Sequence, residues 1–309
     1  MPNALEFKGV VKQYGRRRAL DGLDLTVPTG SIFGLVGSNG AGKTTLMAVA
    51  MGLVRPNDGF VDLLGEGRFH PLRHAGRVSL LPQDSRLPLH GQVAELLRYY
   101  GRLQGIAEAE LSGSVERMLD WVHLRDRRDS PIRTLSHGMA RRVTIAQAFL
   151  GDPELILLDE PLSGLDPREV SHLRESIRQR RGHQTIIVSS HVLSEIEAIC
   201  DAVAFIEAGR LVRQDKVEVI TRRGHSVTYH LQPGAVPLAE LERIQEKARW
   251  SLNAEGTLLT VQFESDTLTI PAFNAQVLAI LLRTGIGIVE VRCGSDLESE
   301  YLASTRGKP

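Results

Sequence analysis

What this chain lacks narrows its possibilities first. Two of its 309 residues are cysteine, Cys200 and Cys293, and they lack metal-ligand spacing. A disulfide framework and a zinc module are therefore excluded, and both thiols are expected to be reduced. Net charge is lacking too. The 37 basic residues balance 37 acidic ones, so no global field recommends nucleic acid or acidic lipid as a partner. No apolar run approaches the roughly 20 residues that cross a bilayer, and the opening MPNALEFKGVVKQYG has no signal-peptide block. A cytoplasmic chain is expected, with no direct membrane insertion and no nucleic-acid partner. Internal repeats, heptads and low-complexity segments are missing as well.

What is there is an α/β pattern, in a chain long enough for two domains. Through residues 1–220, β-rich runs precede helical ones: SIFGLVG before AGKTTLMAVAMGL, ELILLDE before REVSHLRESIRQRR, TIIVSS before VLSEIEAIC. Continuous apolar strands joined by helices predict a largely parallel sheet covered on both faces. LEFKGVVKQY and LDGLDLTV alternate as antiparallel strands do, so the sheet is expected to be mixed. Residues 85–150 are rich in Arg and Glu and helical in pattern, which predicts a helical subdomain inserted into the α/β core. After TRRG the texture changes. Across 225–309, HSVTYHL reads as a strand, PLAELERIQEKARW as a helix and SLNAEGTLLTVQFE as a hairpin turning at Asn253–Gly256. IPAFNAQVLAILLRTG and IGIVEVRC follow as helix and strand, completing β-α-β-β-α-β, a small ferredoxin-like α+β domain.

The strongest motif lies in SIFGLVGSNGAGKTT, where Gly37, Gly42, Lys43 and Thr44 match G-x-x-x-x-G-K-[ST]. An apolar strand leads in and an amphipathic run leads out, the context of a phosphate-binding loop. Glycines let backbone N–H groups curl around phosphate oxygens, and the helix dipole adds attraction. Lys43 is expected to reach the β- and γ-phosphates of a nucleotide, and Thr44 to bind Mg²⁺ through its hydroxyl. ELILLDEP places Asp159 and Glu160 at the end of a buried strand. One carboxylate for a metal and one for an attacking water would suit nucleotide hydrolysis, but the same residues would also serve as a turn that closes a core strand.

With these residues reached, the chain resembles the ATP-binding-cassette (ABC) ATPases, from residue 4 to about 215. The resemblance implies a P-loop NTPase fold of the ABC type. It further implies that Gly37, Ser38, Asn39, Gly40, Ala41, Gly42, Lys43, Thr44 and Thr45 form the phosphate loop. Tyr14, in KQYGRRRAL, matches the aromatic residue that stacks on adenine. Gln83, in SLLPQDSRL, matches the glutamine that touches Mg²⁺ and the water, and Asp159 lies where a contact to the metal through one of its bound ligands is wanted. Glu160 would polarise the water. His191, in SSHVLSEIEAIC, matches the histidine that contacts the γ-phosphate, apt because a neutral imidazole can still donate. LSHGM, residues 135–139, matches the signature motif usually written LSGGQ, through which one subunit covers the ATP of the other. Ser136 and Gly138 would make that contact, and Asp166, in SGLD, would reach across the dimer. Ser38, Leu162, His137 and Met139 depart from the usual pattern, none at a position with a direct catalytic role.

The resemblance also narrows the kind of ABC protein. About 80 residues separate Gln83 from Asp166, too few for the coiled coil of the chromosome-maintenance type, and the single set of motifs disfavours the paired-cassette translation factors. SDLESEYLAST, at 295–305, resembles the ending of ATPases that serve ABC-2 exporters, although it also reads as a helix docked through Leu297, Tyr301 and Leu302. The expectation is an ATP-hydrolysing subunit of an exporter, a homodimer or a heterodimer with a second ABC ATPase. It would be held on the cytoplasmic face of the membrane by a separate transmembrane permease. The alternative is a soluble regulatory ATPase without a membrane partner. RTLSHGMARR keeps two oddities: Gly138 costs a helix about 1 kcal/mol against alanine, and Arg141 and Arg142, without a role in the resemblance, read as a solvated face.

Overall fold

The structure, a computed structural model, describes residues 3–221, 226–245, 248–262, 270–294 and 297–305. The chain divides into two compact units, Met1–Asp215 and Lys216–Pro309.

Among the described residues, unit 1 contains nine strands in chain order: β1 (Asn3–Tyr14), β2 (Arg17–Pro28), β3 (Ile32–Val36), β4 (Asp58–Leu63), β5 (Val78–Leu81), β6 (Leu155–Asp159), β7 (Thr185–Ser190), β8 (Ala202–Glu207) and β9 (Arg210–Lys216), whose last residue opens the second unit. The alternating strands β1, β2 and β4 form an antiparallel sheet of order β2-β1-β4. The apolar runs form a six-stranded sheet of order β5-β6-β7-β3-β8-β9, parallel from β5 through β8. Every residue of β3, β6 and β7 is buried, as strands covered on both faces must be. Phe33, Leu35, Leu155, Leu157 and Ile187 join Leu5, Phe7, Leu25 and Leu46 in one core.

This order sets up the site. Strands β6, β7 and β3 are neighbours, so the segments leaving their C-terminal ends converge on one edge. Those ends are where ligands gather in open α/β sheets.

The helical region holds helices Val93–Leu103, Glu108–Trp121 and His137–Phe149, with 3₁₀ turns at Arg125–Arg127 and Ile132–Thr134. The first two of these helices pack so closely at Gly101 that a Cβ there would sit 2.4 Å from Leu111 Cδ1. Glycine at that position sets their approach.

Unit 2 contains β10 (Ser226–Leu231), β11 (Arg249–Leu252), β12 (Leu258–Gln262) and β13 (Ile288–Cys293), in the order β11-β12-β10-β13 with all neighbours antiparallel. Helix Ile270–Arg283 buries Phe273, Val277 and Leu281 with Val227, Tyr229, Leu259 and Val261. The helix expected over PLAELERIQEKARW is much shorter, spanning Leu238–Leu241 and a 3₁₀ turn Glu242–Ile244. Arg249 and Trp250 belong instead to β11, where Trp250 pairs with Val261 and its ring lies 5.8 Å from that of Phe273. Pairing with β12 and packing of a half-buried aromatic against the core outweighed a helical pattern, as tertiary context does to propensity. In the helix Leu297–Thr305, Leu297 is buried but Leu302 is 40% exposed, so the three residues do not share one docked face. The expected junction at 222–224 and the Ser295–Asp296 start of the C-terminal match lie outside the described residues.

Candidate nucleotide site

Between β3 and the helix Lys43–Ala50 the backbone turns through the glycine-rich loop. A Cβ on Gly37 would lie 2.2 Å from the Ile206 carbonyl oxygen, and Gly42 combines a φ of +114° with a Cβ position 2.5 Å from the Ala19 oxygen. Backbone on both sides therefore demands glycine. No side chain caps the helix that follows, so its first N–H groups are available to an anion. Lys43 is 7% exposed, and its Nζ donates to the carbonyls of Gly37 (2.7 Å) and Ser38 (3.3 Å). Burial pushes its pKa down, opposed by the charges of Glu160, Asp159 and Glu207.

A cleft of about 330 Å³ opens over this loop. Tyr14, Asn39, Gly40, Gly42, Lys43, Thr44, Thr45, Gln83, Asp159 and Glu160 all line it, as the sequence expects of a single site. Tyr14 is 48% exposed at the end of β1, a position suited to stacking. Gly37, Ser38 and Ala41 shape the loop without lining the cleft. Ala41 is buried, and Ser38 Oγ donates to Glu207 Oε1 at 2.8 Å.

The two carboxylates reach the same cleft although adjacent strand residues ordinarily face opposite ways. Glu160, one residue past β6, has φ +50°, and this left-handed turn re-aims its side chain beside that of Asp159. Asp159 Oδ2 accepts from Thr44 Oγ1 at 2.7 Å, and its Oδ1 accepts from Ser189 Oγ. The same Ser189 hydroxyl accepts from Glu160 N–H at 3.0 Å. His191 Nδ1 lies 2.9 Å from Glu160 Oε2, with the imidazole 58% exposed and Glu160 nearly buried. Thr44, Gln83 and Asp159 offer only oxygen donors near one another, a set that suits a hard divalent cation. Among the described residues no cluster of three or more His, Cys, Asp or Glu could hold a metal, so a cation here would draw its other ligands from phosphate and water.

Three expected contacts lie apart from the cleft of their own chain. Ser136 caps the helix His137–Phe149, its Oγ accepting from Met139 N–H at 3.2 Å. The hydroxyl is thus tied to the helix despite Met139, yet its proton can still be donated outward. A Cβ on Gly138 would meet only Leu165 Cδ2, at 3.9 Å, so this chain's own packing does not require glycine there. Asp166 Oδ1 caps the helix Pro167–Arg178, accepting from Arg168 and Glu169 N–H at 3.0 Å each.

The solvated-face reading of two arginines is overturned. Arg141 is buried, and its guanidinium donates to the carbonyls of Gln83, Asp159, Glu160 and Pro161 and to Ser85 Oγ. Arg142 donates to the carbonyls of Val122 and His123 and lies 3.3 Å from Glu169. A helix inserted between two segments has no solvent on that side. Sequence reasoning also passed over Ser189 and Arg17. The latter lines the cleft and donates from Nη2 to the Gly40 carbonyl at 2.9 Å. The run of three arginines after Tyr14 was its signal; Ser189, inside an apolar strand pattern, carried none.

A family model described as ABC transporter matches residues 20–163. The Nod factor export ATP-binding protein I of Ralstonia nicotianae is 36% identical over 222 residues, covering 70% of this chain and 68% of that protein. Its counterpart in Cupriavidus metallidurans is 37% identical over 218 residues, 70% of this chain and 72% of its own. Among solved structures, an ATP-binding subunit of an ABC transporter superposes with a TM-score of 0.66 at 29% identity, covering 71% of this chain and 92% of that one. A bacterial Atm1-family ABC exporter with ATP bound gives a TM-score of 0.64 at 27% identity, covering 72% of this chain and 40% of that one.

Proposed function

The chain belongs to the ATP-binding proteins of ABC transporters and is an ATPase, and on that premise we propose that it powers an exporter as a dimer bound to a separate membrane-spanning permease. The relatives named for Nod factor export support the direction of transport. No helix among the described residues is long and apolar enough to cross a membrane, so the permease would hold the chain at the cytoplasmic face.

The observation that carries this reading is the division of the site. Phosphate loop, Asp159 and Glu160 share one cleft, whereas Ser136 and Gly138 stand outside it, with no more than an ordinary contact to Leu165 beside the glycine. A second ABC subunit, identical or different, completes the site by presenting its Ser136 and Gly138 to the nucleotide. Lys43 leaves the loop carbonyls for the phosphates, and Tyr14 stacks on the adenine. Glu160 takes the proton of the attacking water, while His191 orients its carboxylate and contacts the γ-phosphate. Thr44, Gln83 and Asp159 would hold Mg²⁺, which neutralises phosphate charge when bound. A groove of about 660 Å³, walled in part by Gln83, Leu87, Leu89, Leu135 and His137, gives the permease a seat beside the glutamine that senses the nucleotide.

Glu160→Gln tests the assignment. ATP binding is expected to persist while turnover falls by about 10² or more, the usual contribution of a general base. ATP should then trap a dimer visible by gel filtration. Wild-type turnover in this variant would refute the assignment.

A further inference from the structure

Arg141 borders the groove assigned to the permease but has no role of its own in that account, yet its surroundings are organised around it. The side chain rises from the helix His137–Phe149 and is 7% exposed. Guanidinium carries five N–H donors in a fixed fork, and here each has one acceptor. Nε donates to the Pro161 carbonyl at 3.3 Å. Nη1 donates to the Gln83 carbonyl at 3.2 Å and to Ser85 Oγ at 3.1 Å. Nη2 donates to the carbonyls of Asp159 at 3.2 Å and Glu160 at 2.7 Å. Three consecutive carbonyls of the turn after β6 thus converge on one cation, together with the loop that carries Gln83.

That turn is strained. Glu160 holds φ +50°, which a side chain disfavours and which persists only where neighbours over-determine it. Its N–H is held by Ser189 Oγ, its carboxylate by His191 and its carbonyl by Arg141. A cation taken out of water is tolerated only when fully bonded, and Arg141 achieves this through four main-chain carbonyls and the Ser85 hydroxyl, which must all be aimed at it. Lysine, with three donors on a point charge, could not span the same five acceptors.

We propose that Arg141 is a positioning residue for ATP hydrolysis: it holds the left-handed turn that aims Glu160 and ties that turn to the Gln83 loop, so that base and glutamine keep a common geometry. The inference rests on the assignment of Glu160 as the base. Arg141 does not line the cleft over the phosphate loop, so its loss is expected to act on kcat rather than on ATP affinity.

The test is steady-state ATPase activity and ATP binding by the full chain carrying Arg141→Ala or Arg141→Lys, beside Glu160→Gln. In Arg141→Ala, kcat should fall by about 100-fold, the scale of an ångström of misplacement, while KM for ATP stays close to wild type. Millimolar methylguanidinium, which fits the vacated space, should restore part of kcat and leave the wild type unaffected. Arg141→Lys, the variant more certain to fold, should lie between the two. A kcat near wild type in both Arg141 variants, with Glu160→Gln inactive, overturns the inference alone. So does a loss of ATP affinity that matches the loss of rate, or a folded alanine variant that methylguanidinium does not rescue. Wild-type turnover in Glu160→Gln overturns the assignment of the base and this inference together.

Discussion

Replacing Ser189 by alanine should be costly out of proportion to the single oxygen removed. The hydroxyl is fully buried on β7, donates to the Asp159 carboxylate and accepts from Glu160 N–H. A hydrogen bond to a charged group contributes about 1.5–3 kcal/mol, and a buried N–H left without an acceptor costs about 1–3 kcal/mol. Part of the sum is returned because the hydroxyl itself need no longer be desolvated, so a net loss of about 2–4 kcal/mol is expected. Trp121 reports on unit 1, its ring 4.6 Å from that of Phe149, and a Trp250→Phe background leaves it as the sole tryptophan. With a urea m-value of about 3 kcal/mol per molar, the midpoint of its unfolding should drop by roughly 1 M. A midpoint unchanged by Ser189→Ala, at constant m, would refute the claim that one hydroxyl secures both carboxylate positions.

Two further outcomes follow from packing and exposure. Gly37→Ala, whose methyl would sit 2.2 Å from the Ile206 oxygen and 2.9 Å from Ala41 Cβ, should distort the loop enough to lose ATP binding by equilibrium dialysis; wild-type affinity would show that the loop yields easily. Cys293 is exposed, whereas Cys200 is buried with its pKa pushed up by desolvation. A thiol reagent at pH 8 should therefore modify Cys293 rapidly and Cys200 only in urea, and equal native rates would contradict the burial.

What was legible in the sequence depended on whether a residue's role was local. Gly37, Gly42, Lys43 and Thr44 act within one loop, so their spacing alone announced them. Strands β3, β6 and β7 read as continuous apolar runs because both of their faces are covered. Asp159 and Glu160 were visible as a pair, but not the left-handed turn that turns both into the cleft, since glutamate carries no mark of φ +50°. Arg249 and Trp250 continue a helical pattern in the sequence; their strand exists through pairing with β12 and the contact with Phe273, residues later in the chain. Arg141 failed for the same reason. Its five acceptors lie 18 to 58 positions away, and nothing near it in sequence distinguishes a buried cation from a solvated one.

That long reach connects two costs that look separate. A non-glycine residue in the left-handed region and a cation excluded from water are each unfavourable alone. At this site each supplies what the other requires: the turn at Glu160 presents its carbonyl among three that the guanidinium needs, and the guanidinium keeps that carbonyl where only the strained turn can place it. The helix that bears Arg141 is also the one capped by Ser136. In the proposed dimer, the element offered to a partner's nucleotide and the proposed base for this chain's own nucleotide would therefore be joined through a single side chain.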